Sequence, residues 1–349
     1  MRSLVNILLD TMGGDNAPYA MVRGALDALK IQEGFEVTLL GDEAAIENIL
    51  INEEYNKDRL HIRHTTQEIT NNDKPTKAIK IKTDSSMVVG FNMLKNNEGD
   101  VFISTGSSGA LLVGAVTILR RIPGIDRPAL GTVIPSKKGR VLLIDAGLNM
   151  TCRPEHYQQF AYMGSAYMKA VFETDNPKVG LVNVGTEEGK GTSVVNEAND
   201  LLKGSNVNYV GYVEGKDILL GTADVVVTDG FTGNVILKLI EGASDFFLSG
   251  VKDVFTSRFF TKIGALFLKK GFKAFKKTLD PDVNGGAPIL GVNGLVIKSH
   301  GNSTAKTIKH VILKADALAR STYMDDIKKE LEIMSEKKEE NDNDNLRGE

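Results

Sequence analysis

The stretch NVGTEEGKGT, residues 183–192, places three glycines and a lysine within seven positions. A nucleotide P-loop needs Gly, four residues, then Gly-Lys-Ser/Thr. Here only three residues separate Gly185 from Gly189-Lys190, and Gly191 stands where a magnesium-binding hydroxyl belongs. The stretch still has the makings of an anion site. Glycines bare backbone N–H groups, Lys190 adds a cation, and a helical pattern starts just downstream at Val194. A second glycine-rich run, Gly106-Ser107-Ser108-Gly109, also leads into a helical pattern, so its amides and hydroxyls suit a small anion; a bare helix cap is the alternative.

Other chemistries fit less well. Asp10, Asp15, Asp145 and Asp229 are candidate magnesium ligands, but loop aspartates more often cap helices, and no HExxH motif or Cys/His cluster is present, so no metal is expected. The GxGxxG dinucleotide fingerprint is missing, and no cofactor is expected. Cys152 lies four residues before His156; a lone cysteine at a helix start reads as structural, and no GxSxG elbow occurs. Anion-binding loops without a covalent nucleophile point to phosphate itself as the attacking reagent.

The elements that must position these groups follow from apolar patterning. Strands are predicted over 4–10, 36–41, 100–104, 140–145, 178–183, 207–213 and 223–228, and helices over 18–32, 76–96, 108–121, 154–173, 192–203, 232–250 and 303–320. Near-continuous apolar strands alternating with helices imply a mostly parallel sheet covered on both faces. Polar, glycine-bearing loops follow five strands, at 10–16, 104–109, 145–149, 186–191 and 229–234. Ligands of open α/β sheets bind at strand carboxyl ends, so the five loops are expected to share one site.

The chain has 349 residues, net charge −3, 42% hydrophobic content and one cysteine. This balance gives no reason to expect nucleic-acid binding, and the lone cysteine suits a reducing cytoplasm. The N-terminal MRSLVNILLDTMGGD is interrupted by Asn6 and Asp10 and reads as a first strand rather than a signal peptide. Residues 325–349 carry ten acidic and five basic residues and read as a frayed helix running into a disordered tail. Residues 255–277 hold seven basic residues and no acid. On a helix, Phe260, Ile263, Phe267, Leu268, Phe272 and Phe275 share one side, with Lys262, Lys269, Lys273, Lys276 and Lys277 on the other. That division fits an anionic bilayer or an acidic partner protein, against the plainer reading of a helix packed on its own domain.

Several long stretches carry a resemblance. They are MGGDNAP (12–18), KTDSSMVVG (82–90), RRIPGIDRPALG (120–131), CRPEHYQQFAYMGSAY (152–167), NVGTEEGKG (183–191), VEGKDILLGTADVVVTDGFTGNV (213–235) and GGAPILGVNG (285–294). In this order, across roughly residues 1–320, the chain resembles the bacterial phosphate acyltransferases, which convert acyl-acyl-carrier-protein and inorganic phosphate to acyl phosphate for phospholipid synthesis. Two loops depart from the family pattern. Ser107 replaces an asparagine, so a role for that amide does not carry over, and Leu148 makes the Gly147–Asn149 loop bulkier while Asn149 is kept.

The resemblance implies an isocitrate/isopropylmalate dehydrogenase-like fold, a three-layer α/β/α sandwich. It would form one catalytic domain over 1–322, with the basic amphipathic arm inserted at 246–279 and a charged tail over 323–349. It further implies a homodimer, cytoplasmic and peripheral to the inner face of the cell membrane, with a downstream glycerol-3-phosphate acyltransferase as a further partner. For the reaction, Lys190 and the amides of Gly189 and Gly191 are expected on phosphate or the oxyanion, with Ser107 and Ser108 as donors from a facing loop. Asn234 would donate to the carbonyl. Asp229 either orients Lys190 or Asn234 or caps a helix, and His300 either protonates the leaving thiolate or is a surface residue. Asp10, Asp15 and Asn16 would build the site floor. The alternatives are a phosphotransacetylase-like enzyme acting on acyl-CoA, or a non-catalytic lipid-surface or carrier-protein scaffold.

Overall fold

The computed structural model describes residues 4–258, 261, 264, 265, 267–272 and 286–332. The strands are β1 (Val5–Asp10), β2 (Phe35–Gly41), β3 (Leu60–His64), β4 (Val101–Ser104), β5 (Ala129–Ser136), β6 (Gly139–Ile144), β7 (Lys178–Val182), β8 (Asn208–Val213), β9 (Val225–Val227), β10 (Ala287–Leu290) and β11 (Leu295–Lys298). They form one sheet in the order β3-β2-β1-β4-β11-β10-β5-β6-β9-β7-β8. The two outer groups are each parallel, as expected. The middle is not: β10 runs antiparallel to both β11 and β5, and β5 runs antiparallel to β6. Strands β6, β9, β7 and β8 therefore run opposite to β1–β4 and β11 along the sheet.

Helices cover both faces. On one lie α1 (Tyr19–Leu29), α2 (Glu43–Leu50), α6 (Pro154–Phe172), α7 (Ser193–Lys203) and the helix Ala305–Arg320, here α10, against Ile7, Leu9, Val37, Ile103, Leu142 and Val225. On the other lie α3 (Pro75–Ile81), α4 (Ser86–Lys95), α5 (Ser108–Gly114) with a π-helical turn at Ala115–Leu119, α8 (Gly215–Ile218) and α9 (Gly230–Thr256), against Leu8, Phe102, Leu143, Val226, Ile289 and Val296. Successive strand residues feed opposite layers, which is why the strands read as unbroken apolar runs.

Three expectations change. The single helix over 76–96 is two helices. Asp84 accepts the N–H and hydroxyl of Thr66, and Ser85 caps α4 by accepting the Val88 N–H, so KTDS bonds to backbone instead of continuing the helix. Strands β5, β10 and β11, and helices α2 and α8, were not foreseen, and β3 was absent from the predicted strands; Pro135 and Gly131 in β5 and the glycines around the four-residue β10 and β11 hide the strand pattern. The packed chain also runs past residue 322. A helix over 323–332 buries Tyr323, Ile327 and Leu331, and Glu330 accepts a hydrogen bond from Lys169 at 2.7 Å, so this stretch is not disordered tail. The rest of the tail, 333–349, lies outside the described residues.

Candidate functional site

Each parallel group is organised by a buried aspartate at a strand end. The Asp145 carboxylate, just after β6, accepts from the N–H groups of Leu130 (2.9 Å), Gly147 (3.1 Å), Leu148 (3.1 Å) and Asn149 (2.7 Å), and from Asn149 Nδ2 (2.8 Å). Helix α9 starts directly on this loop. The Gly230 N–H donates to the Asn149 carbonyl, and a Cβ on Gly233 would fall 1.9 Å from the Asp145 carbonyl oxygen, so glycine is obligatory there. Asn234, one turn on, lies against Gly147. Asp10 does the same work after β1: it accepts from Met12 N–H, Gly13 N–H, Ser86 Oγ (2.6 Å) and Ser104 Oγ (2.6 Å).

These hydrogen bonds sort the expected residues into two groups rather than one. Asp10, Asp15, Asn16, Ser107, Ser108 and His300 gather at the carboxyl ends of β1, β4 and β11. There Thr105 Oγ1 donates to the Gly13 carbonyl, the Asp15 N–H donates to the Gly301 carbonyl, and Asn16 Nδ2 donates to the carbonyls of Asn302 and Ser303. Asn149, Asp229 and Asn234 gather at the ends of β6 and β9, with Gly189, Lys190 and Gly191 one strand further, after β7. Five strands lie between β4 and β7 in the sheet. The Ser107–Ser108 loop and the Lys190 loop thus follow strands that run in opposite directions, and among the described residues no hydrogen bond joins the two loops.

Individual roles shift too. Asp229 is a cap: its carboxylate accepts the Thr232 N–H (2.8 Å) and hydroxyl (3.0 Å) and lies 3.4 Å from Tyr157 Oη. Asp10 is buried under its loop rather than lining a floor. Both Asn149 amide hydrogens are engaged, by the Pro128 carbonyl and by Asp145. Lys190 is exposed and donates to Glu187 at 2.6 Å, which holds the Glu187 carboxyl below its usual range. Glycines 189 and 191 have φ of +81° and +95°, and Asn183 Nδ2 clamps the Lys190 carbonyl. His300 is exposed, with Nδ1 accepting the Asn302 N–H at 3.4 Å. Burial, with Asp145 and Asp229 nearby, pushes the Cys152 thiol up to about 12, which removes it as a nucleophile.

The sequence reading missed a cleft of about 360 Å³ between α5 and the start of α6. Arg121, Arg127 and Arg153 line it with Asp126, Asn149 and His156, and Leu112 and Val116 of α5 and its π-helical turn form an apolar wall. Arg153 stands at the N-cap of the 19-residue α6, whose N–H groups and dipole add positive potential. Arg153 bridges to Asp126 at 2.9 Å, and Arg121 donates to the Asp126 carbonyl. His156 is buried; its Nδ1 accepts the Arg153 N–H, Arg153 Nη2 lies 3.5 Å from its Nε2, and burial plus the guanidinium groups of Arg153 and Arg127 lower its pKa. The signal was present in RRIPGIDRP, where arginines sit six or seven residues apart in a loop, but only the fold brings Arg153 alongside.

In the arm, Phe267 is 85% exposed and Leu268 and Lys269 are exposed beside it, whereas Phe272 turns inward, edge-to-face on Phe255 at 5.6 Å. Phe260, Lys273 and Lys276 lie outside the described residues.

A family described as fatty acid synthesis protein matches residues 5–325. A phosphate acyltransferase of Acetivibrio thermocellus is 55% identical over 324 residues, covering 93% of this chain and 96% of that protein. The chain belongs to the phosphate acyltransferase family. A phosphate acyltransferase of Clostridioides difficile is 41% identical over 340 residues, covering 97% of this chain and 99% of that one. A phosphate acyltransferase is an enzyme, which sets the scaffold alternative aside. Among solved structures, a phosphotransacetylase from Streptococcus pyogenes matches at TM-score 0.59 and 17% identity, covering 90% of this chain and 94% of that one. A 4-hydroxythreonine-4-phosphate dehydrogenase from Klebsiella pneumoniae matches at 0.52 and 9%, covering 92% and 99%. At those identities the likeness concerns the fold alone, and it agrees with the dehydrogenase-like sandwich expected for a phosphate acyltransferase.

Proposed function

We propose that this phosphate acyltransferase takes its acyl group from an acyl-acyl-carrier-protein thioester and passes it to inorganic phosphate, supplying acyl phosphate for phospholipid synthesis. The observation that supports an anionic thioester donor is the arginine cleft. Three guanidinium groups and a helix N-terminus beside an apolar wall suit a thioester donor that is anionic outside and has a phosphate-bearing arm. In the reaction a phosphate oxygen attacks the thioester carbonyl, the C–S bond breaks, and the thiolate leaves and takes up a proton. Lys190, released from Glu187, and the Asn234 amide beside Gly147 are the proposed stabilisers of the phosphate and the developing oxyanion. The exposed apolar side chains of α9 and the arm are the proposed contacts with a second copy of the chain and with the anionic inner face of the membrane, which would also bring the enzyme near a glycerol-3-phosphate acyltransferase.

The test is acyl phosphate production, trapped with hydroxylamine, from phosphate plus palmitoyl-acyl-carrier-protein or palmitoyl-CoA. Turnover with the carrier-protein thioester, and an Arg127→Ala variant with a raised KM for it, supports the reading. Turnover confined to palmitoyl-CoA replaces it with the phosphotransacetylase-like one.

A further inference from the structure

Between β10 and β11 the chain turns through Gly291-Val292-Asn293-Gly294, the close of the GGAPILGVNG stretch. Val292 is buried, and a Cβ on Gly294 would stand 3.2 Å from Leu119, so the turn rests on the last residue of the π-helical turn. It is bonded to the segment that enters the arginine cleft. The Asn293 N–H donates to the Arg120 carbonyl at 2.9 Å, and Asn293 Nδ2 donates to the Arg121 carbonyl at 2.9 Å. Arg121 and Val292 form an antiparallel bridge, and the Ile122 N–H donates to the Gly291 carbonyl at 3.1 Å.

The segment held in this way is strained. Arg120 has φ +68° and ψ 167°, a conformation in which Cβ crowds the backbone and which glycine alone adopts readily. The π-helical turn before it is an uncommon geometry that concentrates at functional sites. Such features persist only where the surroundings impose them. Relaxing Arg120 to negative φ would rotate the chain after it, beginning with Arg121. The Arg121 side chain lines the cleft and donates to the Asp126 carbonyl, and Asp126 in turn bridges to Arg153. Further along, Gln159 of α6 holds the same loop: its Oε1 accepts the Asp126 N–H at 2.9 Å, and its Nε2 donates to the Gly124 carbonyl at 3.1 Å. The loop is fixed at both ends, and the strained joint lies at the end that carries Arg121.

We infer that Asn293 is a positioning residue for the acyl donor: it holds Arg120 in its strained conformation and thereby keeps the Arg121 guanidinium in the cleft. Asn293 acts through the backbone of Arg120 and Arg121, and its side-chain amide is the part that a substitution removes, because the backbone N–H remains. The inference rests on the proposed function for what the cleft binds, and not for the strained joint itself.

The experiment uses Asn293→Ala, alone and combined with Arg120→Gly or Arg120→Ala, with circular dichroism confirming the fold. Glycine adopts the Arg120 conformation without strain and so lessens the need for the Asn293 amide; alanine removes the same guanidinium and keeps the strain. Binding is read by calorimetry with holo-acyl-carrier-protein and separately with coenzyme A, and the KM for each palmitoyl thioester by hydroxylamine trapping. Asn293→Ala should weaken binding of the donor and raise its KM by about fivefold, the scale of one hydrogen bond, with kcat and the KM for phosphate within about twofold. Adding Arg120→Gly should restore most of that loss, and adding Arg120→Ala should not. With Asn293 intact and no donor present, Arg120→Gly should unfold at a higher urea concentration than Arg120→Ala. The reverse order would show that Arg120 is unstrained and would overturn the inference. So would a folded Asn293→Ala that binds and turns over its donor as wild type does, or a rescue by Arg120→Ala equal to that by Arg120→Gly. If the expected pattern appears with coenzyme A and palmitoyl-CoA instead of the carrier protein, the positioning role stands and the proposed donor falls.

Discussion

His156 sits where a small change of charge is felt at once. Burial, and then the neighbouring guanidinium groups of Arg153 and Arg127, lower the pKa of its ring. The folded protein therefore resists protonating it, while the unfolded chain takes up the proton near the ordinary value of about 6.5. A depressed histidine contributes stability that is fully present above that value and is lost as pH falls below it. Urea unfolding at pH 7.5 and at pH 5.5 should show wild type losing more stability on acidification than His156→Gln; equal losses would show that the ring's neutrality has no consequence for folding. Lys190 poses the opposite case. Its partner Glu187 is exposed, so Lys190→Ala should leave the unfolding midpoint unchanged and still lower the rate of acyl phosphate formation. A fully active variant would remove Lys190 from the reaction. Glycine and lysine in NVGTEEGKGT suggested an anion loop, but the sequence could not reveal that the lysine donates to Glu187. Likewise the partners of Asp229 and Asn149 are invisible until the chain folds: Asp229 takes the capping role that was one of its two expected ones, and Asn149, expected on the substrate, bonds to the Pro128 carbonyl and Asp145.

At the scale of elements, the junction of α9 with the Asp145 loop is the tightest contact described. Gly230 and Gly233 let the helix start flush on the loop, and the buried Asp145 carboxylate keeps the loop's N–H groups turned inward. Gly233→Ala should cost about 1–3 kcal/mol, the usual range for forcing atoms into a packed site, and should displace Asn234. A lowered urea midpoint together with a lowered rate is expected; a variant as stable and as active as wild type would mean that the junction yields easily. Most of these elements were legible. The strand ends at Asp10, Ser104, Ile144 and Val182 fall within a residue or two of expectation because long apolar runs mark them. Strands β10 and β11 were not legible, since four residues flanked by glycines carry too little pattern, and missing them concealed the reversal that divides the loops into two groups.

Over the whole molecule, one long helix carries a run of exposed apolar side chains. Phe231, Val235, Leu239, Phe246, Phe247 and Val254 of α9 are all exposed, and Phe267 follows them on the arm. Monomeric proteins rarely leave such a stretch in water. Phe267→Asp should release the protein from phosphatidylglycerol vesicles in a flotation assay while Phe246→Asp should shift its mass in light scattering; unchanged behaviour of both would mean that the stretch packs on its own domain. The sheet order has another consequence. Strand β4 is complete by residue 104, yet its neighbour β11 ends at Lys298, and the α10 helix that covers β1 comes later still. During synthesis, nearly two hundred residues must leave the ribosome before the first-made strands find their last partner. Until then β4 presents an open edge to other chains, and the slower the C-terminal half is made, the longer that edge stays open.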